Sequence, residues 1–176
     1  MALPELKSAL PSYAKDIKLN LGRVLAADGM DGLSKDAVAG VALASAYATK
    51  NAAVISAITE EVSASDAIVE AAKAAATVMA MNNIYYRFVH LVSDDQYGTM
   101  PANLRMNVIG NPGIDKVDFE LMSLAVSAIN GCGMCMDAHV AEVIKGGVKP
   151  AGVQTAIRIG AVLSAAAQAL VIEDMA

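Results

Sequence analysis

The sequence predicts an all-α protein that forms a single domain over residues 1–176. Apolar residues recur at helical spacing along most of the chain, and strand signals are nearly absent. No Pro/Gly/Ser-rich linker divides it, and the five prolines fall near expected helix starts or in connections. A chain of 176 residues has the length of one domain of ordinary size.

The apolar periodicity predicts eight helices, at residues 5–10, 13–27, 35–49, 52–62, 65–91, 116–130, 132–146 and 149–172. The fifth is expected to break near Asn82 and Asn83. Ser34 and Ser65 precede helical segments and have the accepting side chains of N-cap residues. Gly146 begins a Gly-Gly pair that ends the seventh helix. Residues 93–113 are the most loop-like part of the chain.

The composition excludes several classes of protein. The 13 Lys and Arg against 18 Asp and Glu give a net charge of −5, which counts against nucleic acid as the main partner. Hydrophobic residues make up 56% and charged residues 18%, which excludes a disordered chain. Because one small domain has a limited interior, this apolar excess indicates a homo-oligomer.

The hydropathy pattern argues against a membrane protein. The longest uncharged run, residues 121–136, has 16 residues, and the next, 159–172, has 14. A bilayer span takes roughly 20 mostly apolar residues. The N-terminal segment has charges every few residues and no signal-peptide core, so we expect a cytoplasmic protein.

A weak internal repeat relates two parts of the chain. LASAYATKNAAVISAITEEV from residue 43 aligns with LAVSAINGCGMCMDAHVAEV from residue 124. After a four-residue gap, IVEAAKAAATV follows the pattern of VQTAIRIGAVL. Chance similarity is common in Ala-rich sequences, so duplication and coincidence both stay open. In the duplication, Asn51 and Val54 occupy the places of Cys132 and Cys135, and the chemistry belongs to the second half alone.

The two cysteines lie at an expected helix start. A helix-breaking Asn-Gly pair precedes Cys132, so Cys132, Cys135 and His139 fall on one helix face, at positions i, i+3 and i+7. The positive end of the helix dipole favours a thiolate there. The β-carbons of residues three apart are about 5–6 Å apart, near enough for a disulfide after modest adjustment. An imidazole four residues past Cys135 can exchange a proton with its sulfur.

Such a dithiol can cleave a peroxide. The thiolate becomes a sulfenic acid, the second cysteine condenses with it into a disulfide, and an outside dithiol restores the pair. Two other interpretations stay open. Zinc needs four ligands, and the chain offers two cysteines, His139 and the distant His90. The cysteines can also be inert core residues. His90 is expected to be structural or exposed, and the methionines at 79, 81, 134 and 136 to be packing residues.

Glu120 is a carboxylate in an otherwise apolar helical segment, FELMSLAVSAI. Its spacing alone favours a first-turn residue that interacts with the helix dipole.

Three segments resemble the AhpD alkylhydroperoxidase family, within the carboxymuconolactone-decarboxylase-like superfamily. They are RMNVIGNPGIDKVDFELMSLAVSAINGCGMCMDAHV, LKSALPSYAKDIKLNL and AMNNIYYRF, and the resemblance covers nearly the whole chain. It implies an all-helical duplicated fold that assembles as a homotrimer. It also implies a peroxidase that works through a CxxC disulfide without metal, haem or flavin. The reductant is a protein with a lipoyl-type dithiol, and a peroxiredoxin, AhpC, is an associated partner.

The resemblance also implies roles for four residues. Cys135 is the thiol that attacks peroxide, and Cys132 is the proton donor and resolving thiol. Glu120 and His139 form the relay that takes the proton from Cys135. The family commonly has His at the second position inside the motif, where this chain has Met134. A thioether cannot carry a proton, so disulfide exchange is retained while one relay group is missing.

The leading hypothesis is therefore a cytoplasmic antioxidant peroxidase of small organic hydroperoxides and hydrogen peroxide. The alternative that Met134 favours is a disulfide reductase that passes electrons from lipoyl groups to a peroxiredoxin. A non-catalytic oligomeric scaffold with a structural CxxC is a third hypothesis. A lactone decarboxylase fits least, because a redox dithiol has no evident part in that reaction.

Overall fold

The computed structural model describes residues 1–26 and 30–175, and within these ranges it contains helices and no β-strand, so the all-α prediction is confirmed. The ten α-helices in the described ranges are α1 (Leu3–Ala9), α2 (Lys15–Leu25), α3 (Lys35–Thr49), α4 (Ala52–Glu61), α5 (Asp66–Leu91), α6 (Gln96–Thr99), α7 (Asn107–Gly110), α8 (Lys116–Asn130), α9 (Gly133–Lys145) and α10 (Pro150–Asp174).

Two helix predictions differ from the structure. The segment predicted as a helix at 13–27 begins with a 3₁₀ turn at Ser12–Ala14, and α2 follows it; residue 27 lies outside the described residues. The predicted break near Asn82 and Asn83 is wrong, because α5 is continuous through both residues. Both side chains are buried, and the amide group of Asn83 donates to Ser127 Oγ at 2.9 Å. The asparagines face inward and do not interrupt the helix.

The core is built around α3 and α8. They pack against each other, and each also packs against α5 and α10. Nearly every residue in the middle of both helices is buried, as expected of helices that are apolar on all sides. At Gly40 the two helices approach so closely that a β-carbon would overlap the end of Met122. Around this centre α4 packs on α3, α9 on α8, α1 on α4 and α2 on α10.

The predicted helix ends are present. Ser34 Oγ accepts a hydrogen bond from Ala37 N at 3.0 Å, and Ser65 Oγ accepts one from Ile68 N at 3.4 Å. Gly146 is the C-cap of α9. The loop-like segment at 93–113 contains the single-turn helices α6 and α7.

The α3–α4 and α8–α9 segments have the same local plan. Helices α3 and α8 each have 15 residues. They end in left-handed C-cap residues, Lys50 with φ 58° and Gly131 with φ 71°. The next residues, Asn51 and Cys132, are the N-caps of α4 and α9. This agreement accords with the repeat alignment, while the duplication itself stays a prediction.

Helix α10 is long and apolar enough to cross a membrane by length and composition, with a window of mean hydropathy 1.7. Arg158 divides the uncharged residues of α10, so no uncharged run in this helix reaches the length of a bilayer span. Half of that window is buried inside the protein.

Candidate active site

The turn between α8 and α9 holds the two cysteines. Gly131 has a left-handed backbone, and its N–H donates to Ala128 O at 3.2 Å, while Cys132 N donates to Ser127 O at 3.0 Å. Cys132 is the N-cap of α9, and its Sγ accepts a hydrogen bond from Cys135 N at 3.3 Å. The prediction that Cys132 lies at a helix start, with Cys135 one turn further, is confirmed.

The structure joins Cys132 and Cys135 in a disulfide, with their α-carbons 5.3 Å apart. The two sulfurs differ in access, since Cys132 is fully buried and Cys135 is 7% exposed. Cys135 lines a cavity of about 440 Å³. When the pair is reduced, the helix start favours a thiolate. A reactant in the cavity therefore meets Cys135 first.

Helices α8 and α9 bring Glu120 and His139 together. The imidazole Nδ1 donates a short hydrogen bond to Glu120 Oε2, at 2.6 Å. Both residues are buried, at 4% and 7% exposed. Glu120 is the fifth residue of α8 and is paired inside the protein, so the interpretation of Glu120 as a first-turn residue is wrong. The hydrogen bond also fixes the orientation of the ring.

The other ring nitrogen of His139, Nε2, lies 3.3 Å from Met79 Sδ on α5. The hydrogen bonds of the described residues include none between His139 and either cysteine sulfur. His139 and Cys135 nevertheless line the same cavity. Proton exchange between them therefore stays a prediction for the reduced protein. Met79 is buried, as a packing residue would be, and it also contacts the imidazole.

The cavity contains residues that the sequence reasoning did not select. Asn82 and Tyr86 come from α5, one and two turns beyond Met79. Met106 and Ile109 come from the segment that includes α7. The helical spacing of positions 79, 82 and 86 is visible in the sequence. Nothing in it indicates that this face lies opposite the cysteines.

The other candidate ligands do not form a metal cluster. Among residues 1–26 and 30–175, no group of three or more His, Cys, Asp or Glu side chains is arranged to hold a metal ion. His90 is exposed in the last turn of α5, which is the second of its two predicted roles, structural or exposed. Met134 is partly exposed and also lines the cavity.

One carboxyl group near the site has a shifted pKa. Asp118 lies in the first turn of α8, two residues before Glu120. Burial and, to a smaller extent, the negative charges of Asp115 and Asp36 together raise its pKa to about 6. An uncharged Asp118 is therefore favoured in mildly acidic solution.

Comparisons with known proteins identify the family of the chain. A model of the carboxymuconolactone decarboxylase family matches residues 95–173, which include both cysteines, Glu120 and His139. Curated relatives named alkyl hydroperoxide reductase AhpD match nearly the whole chain. The protein of Coxiella burnetii (strain RSA 493 / Nine Mile phase I) is 56% identical, over 98% of each chain.

Two further relatives have the same name. The protein of Hyphomonas neptunium is 56% identical over 98% of this chain and 96% of its own. That of Azorhizobium caulinodans is 52% identical over 97% of this chain and 93% of its own. The chain therefore belongs to the AhpD family of carboxymuconolactone decarboxylase-like proteins.

Proposed function

We propose that this protein is an alkyl hydroperoxide reductase of antioxidant defence, with Cys135 as the peroxide-attacking thiol. One observation carries the proposal: Cys135 and the buried Glu120–His139 pair line the same cavity, with Cys132 bonded directly behind Cys135. A thiol, a base oriented by a carboxylate and a second thiol are the groups that peroxide reduction to a disulfide needs. The names of the relatives support the same activity.

The first step oxidises Cys135. In the reduced protein Glu120 holds the Nδ1–H of His139, which leaves Nε2 to take the thiol proton of Cys135. The thiolate attacks the terminal oxygen of the hydroperoxide, and the O–O bond breaks as the S–O bond forms. Sulfur loses two electrons and the peroxide gains them. The leaving alkoxide takes the proton of the Cys132 thiol and departs as the alcohol.

The second step closes the disulfide. The Cys132 thiolate attacks the sulfur of the Cys135 sulfenic acid, and the S–O bond breaks. The departing hydroxide takes the proton from the His139 imidazolium and leaves as water. The disulfide of the structure is the product of this step, and two thiols with one hydroperoxide have become a disulfide, an alcohol and water.

Regeneration needs an outside dithiol, for which we propose a lipoyl-type dithiol on a partner protein. A peroxiredoxin of the AhpC type is the proposed second partner. We further propose a cytoplasmic homotrimer. Large apolar side chains of α5, Ile84, Phe88 and Leu91, are exposed in the single chain, which supports burial against another copy.

The direct test measures peroxide consumption with dihydrolipoamide as the reductant. We expect turnover of cumene hydroperoxide by the wild-type protein and none by Cys135→Ser. His90→Ala is the matched control, because His90 is the other histidine of the chain and is exposed. Mass spectrometry after stoichiometric peroxide should locate the loss of two hydrogens to the CxxC peptide. Activity that survives Cys135→Ser would contradict the assignment of the attacking thiol.

Met134 favours a second candidate function. It lines the cavity at the position where the family commonly has His, and a thioether carries no proton. The candidate is a disulfide reductase that transfers electrons from lipoyl groups to a peroxiredoxin, with little peroxidase activity of its own. Rapid reduction of an oxidised peroxiredoxin without peroxide turnover would favour this function. Met134→His should then raise direct peroxide turnover, whereas an unchanged rate would mean that the relay does not need this position.

A further inference from the structure

Asn82 has a buried polar atom without a partner. The side chain is 4% exposed on α5, and its Oδ1 has no hydrogen-bond donor among the described residues. Its amide nitrogen has a weak acceptor, Met106 Sδ at 3.6 Å. A buried carbonyl oxygen without a donor is destabilising, and such a group needs an explanation in a native protein.

The adjacent asparagine shows what a structural role looks like in this helix. Asn83 Nδ2 donates to Ser127 Oγ at 2.9 Å, and its Oδ1 accepts from Asn130 Nδ2 at 3.0 Å. Asn83 therefore ties α5 to α8 with both ends of its amide. Asn82 makes no comparable link, so holding helices together does not account for it.

Asn82 lies beside the proposed reaction centre. It lines the same cavity as Cys135, and on α5 it is one turn beyond Met79, which contacts the His139 ring. In the described residues, two further buried side-chain atoms have no partner, the hydroxyl oxygens of Ser45 and Ser123. Neither residue lines this cavity. Asn82 thus combines an unused acceptor with a position in the wall of the reactive cavity.

Part of the remaining wall is apolar, and the Lys116–Glu142 ion pair also lines the cavity. Met106 and Ile109 line the cavity together with Asn82, and the volume of about 440 Å³ exceeds what hydrogen peroxide alone would fill. A ligand that suits this wall has an apolar body and one hydroxyl donor. An organic hydroperoxide has this chemistry.

We infer that the Asn82 side-chain amide rotates so that Oδ1, which is covered in the structure, faces the cavity and accepts a hydrogen bond from the terminal O–H of the hydroperoxide. The organic group packs against Met106 and Ile109. The inference rests on the proposed function and names the group that orients its substrate. The terminal oxygen is the one that the Cys135 sulfur attacks, and its proton stays with it in the sulfenic acid. Asn82 therefore holds the reacting oxygen through the step and transfers no proton.

The test follows one oxidation event in the reduced protein. Wild type, Asn82→Leu and Cys135→Ser are mixed with cumene hydroperoxide or hydrogen peroxide, and the rate of disulfide formation is measured by quenched mass spectrometry. Asn82→Leu keeps a similar volume and removes the acceptor. We expect it to react about tenfold more slowly with both peroxides, the effect of one lost hydrogen bond in the transition state. Disulfide reduction by dihydrolipoamide, which uses no O–H group of a peroxide, should keep its rate.

A matched variant separates the two parts of the site. Ile109→Ala should slow the reaction with cumene hydroperoxide and leave that with hydrogen peroxide unchanged, because only the first has an organic group. Asn82→Ala repeats the test if Asn82→Leu does not fold.

The outcomes distinguish the two proposals. Oxidation of the Asn82 variants at the wild-type rate with both peroxides would overturn the role of Asn82. Absence of oxidation in the wild-type protein would instead overturn the proposed function.

Discussion

The α3–α4 and α8–α9 turns have the same backbone conformation and the same type of helix cap, but they differ in the chemistry of the capping side chain. In the first, Asn51 Oδ1 accepts from Val54 N at 3.1 Å. In the second, Cys132 Sγ accepts from Cys135 N at 3.3 Å. Both caps satisfy an otherwise unpaired N–H at a helix start. A helix cap is therefore the common frame, and in the second turn the capping atom is also a redox sulfur.

The contrast extends beyond the caps. In the register of the repeat, Ala39 and Ile58 stand where Glu120 and His139 form the buried pair, and both are buried. The first turn has an apolar interior at the places where the second has a carboxylate and an imidazole. In the proposed function, the chemistry comes from the four side chains that differ between the two turns and not from the backbone that they share.

The largest effect is expected when His139 is replaced by the residue of the first turn. His139→Ile removes the proposed base, and peroxide turnover should fall about 1,000-fold. It also leaves Glu120 buried without its partner, which should lower the free energy of unfolding by about 3–5 kcal/mol. Stopped-flow kinetics and urea unfolding measure the two effects.

The matched double variant separates activity from stability. Glu120→Ala with His139→Ile installs the first-turn residues at both positions of the buried pair, so most of the lost stability should return while the activity stays absent. If the single variant proves as stable as the double, Glu120 does not need the hydrogen bond from His139 to stay buried.

The next effect tests the two roles of Cys132. Cys132→Asn installs the cap of the first turn, so the helix should keep its start and the melting temperature should change little. Because the resolving thiol is gone, peroxide turnover should fall about 100-fold or more. Labelling with dimedone should trap a sulfenic acid on Cys135. A disappearance of the α9 helical signal would mean that the sulfur is needed for the fold.

A smaller effect is expected at the left-handed residues. Lys50 has φ 58°, a conformation that disfavours side chains with a β-carbon, whereas the second turn has Gly131. Lys50→Gly should stabilise the protein by about 1 kcal/mol, and Gly131→Lys should destabilise it by about 1–2 kcal/mol. Urea unfolding measures both. Changes of similar size and opposite sign in the free energy of unfolding would support equivalent backbone conformations in the two turns. No gain in stability from Lys50→Gly would contradict this equivalence.

The smallest effect concerns Asp118, whose counterpart in the first half is Ala37. Its pKa is raised to about 6 in the folded protein, so the folded state binds this proton more tightly than the unfolded state. The free energy of unfolding should therefore decrease as the pH rises from about 4 to 6. Asp118→Ala should flatten this slope and stabilise the protein at pH 7 by less than about 1 kcal/mol, because the half-buried carboxyl is screened by solvent. Urea titrations across this range test it.

Local sequence signals were sufficient for much of the fold. Ser34 and Ser65 predicted the starts of their helices correctly, because an N-cap hydrogen bond joins residues within four positions of each other. The error at Asn82 and Asn83 has the opposite origin. The amide of Asn83 is satisfied by Ser127 on another helix, and no local pattern indicates such a partner.

The candidate site also contains residues that local spacing predicted and residues that only long-range packing brings in. Cys135 and His139 belong to α9 and Cys132 is its N-cap, so their spacing alone predicted that they lie close to one another. Glu120 lies on the preceding helix, and its spacing favoured a different role until the family resemblance was considered. The part of the cavity wall that comes from α5 and α7 depends on long-range packing. For this reason the sequence did not predict Asn82 and Ile109 as cavity residues.

The unequal burial of the two sulfurs has a consequence for regeneration. Cys132 has no exposed surface, and Cys135 has a small exposed fraction. An incoming thiolate must reach the sulfur in line with the bond it breaks, so the first mixed disulfide with a reductant should form on Cys135 and release Cys132. The enzyme would then accept electrons from the reductant at the same cavity where it reduces the peroxide. An oxidant and a reductant could therefore not bind there at the same time.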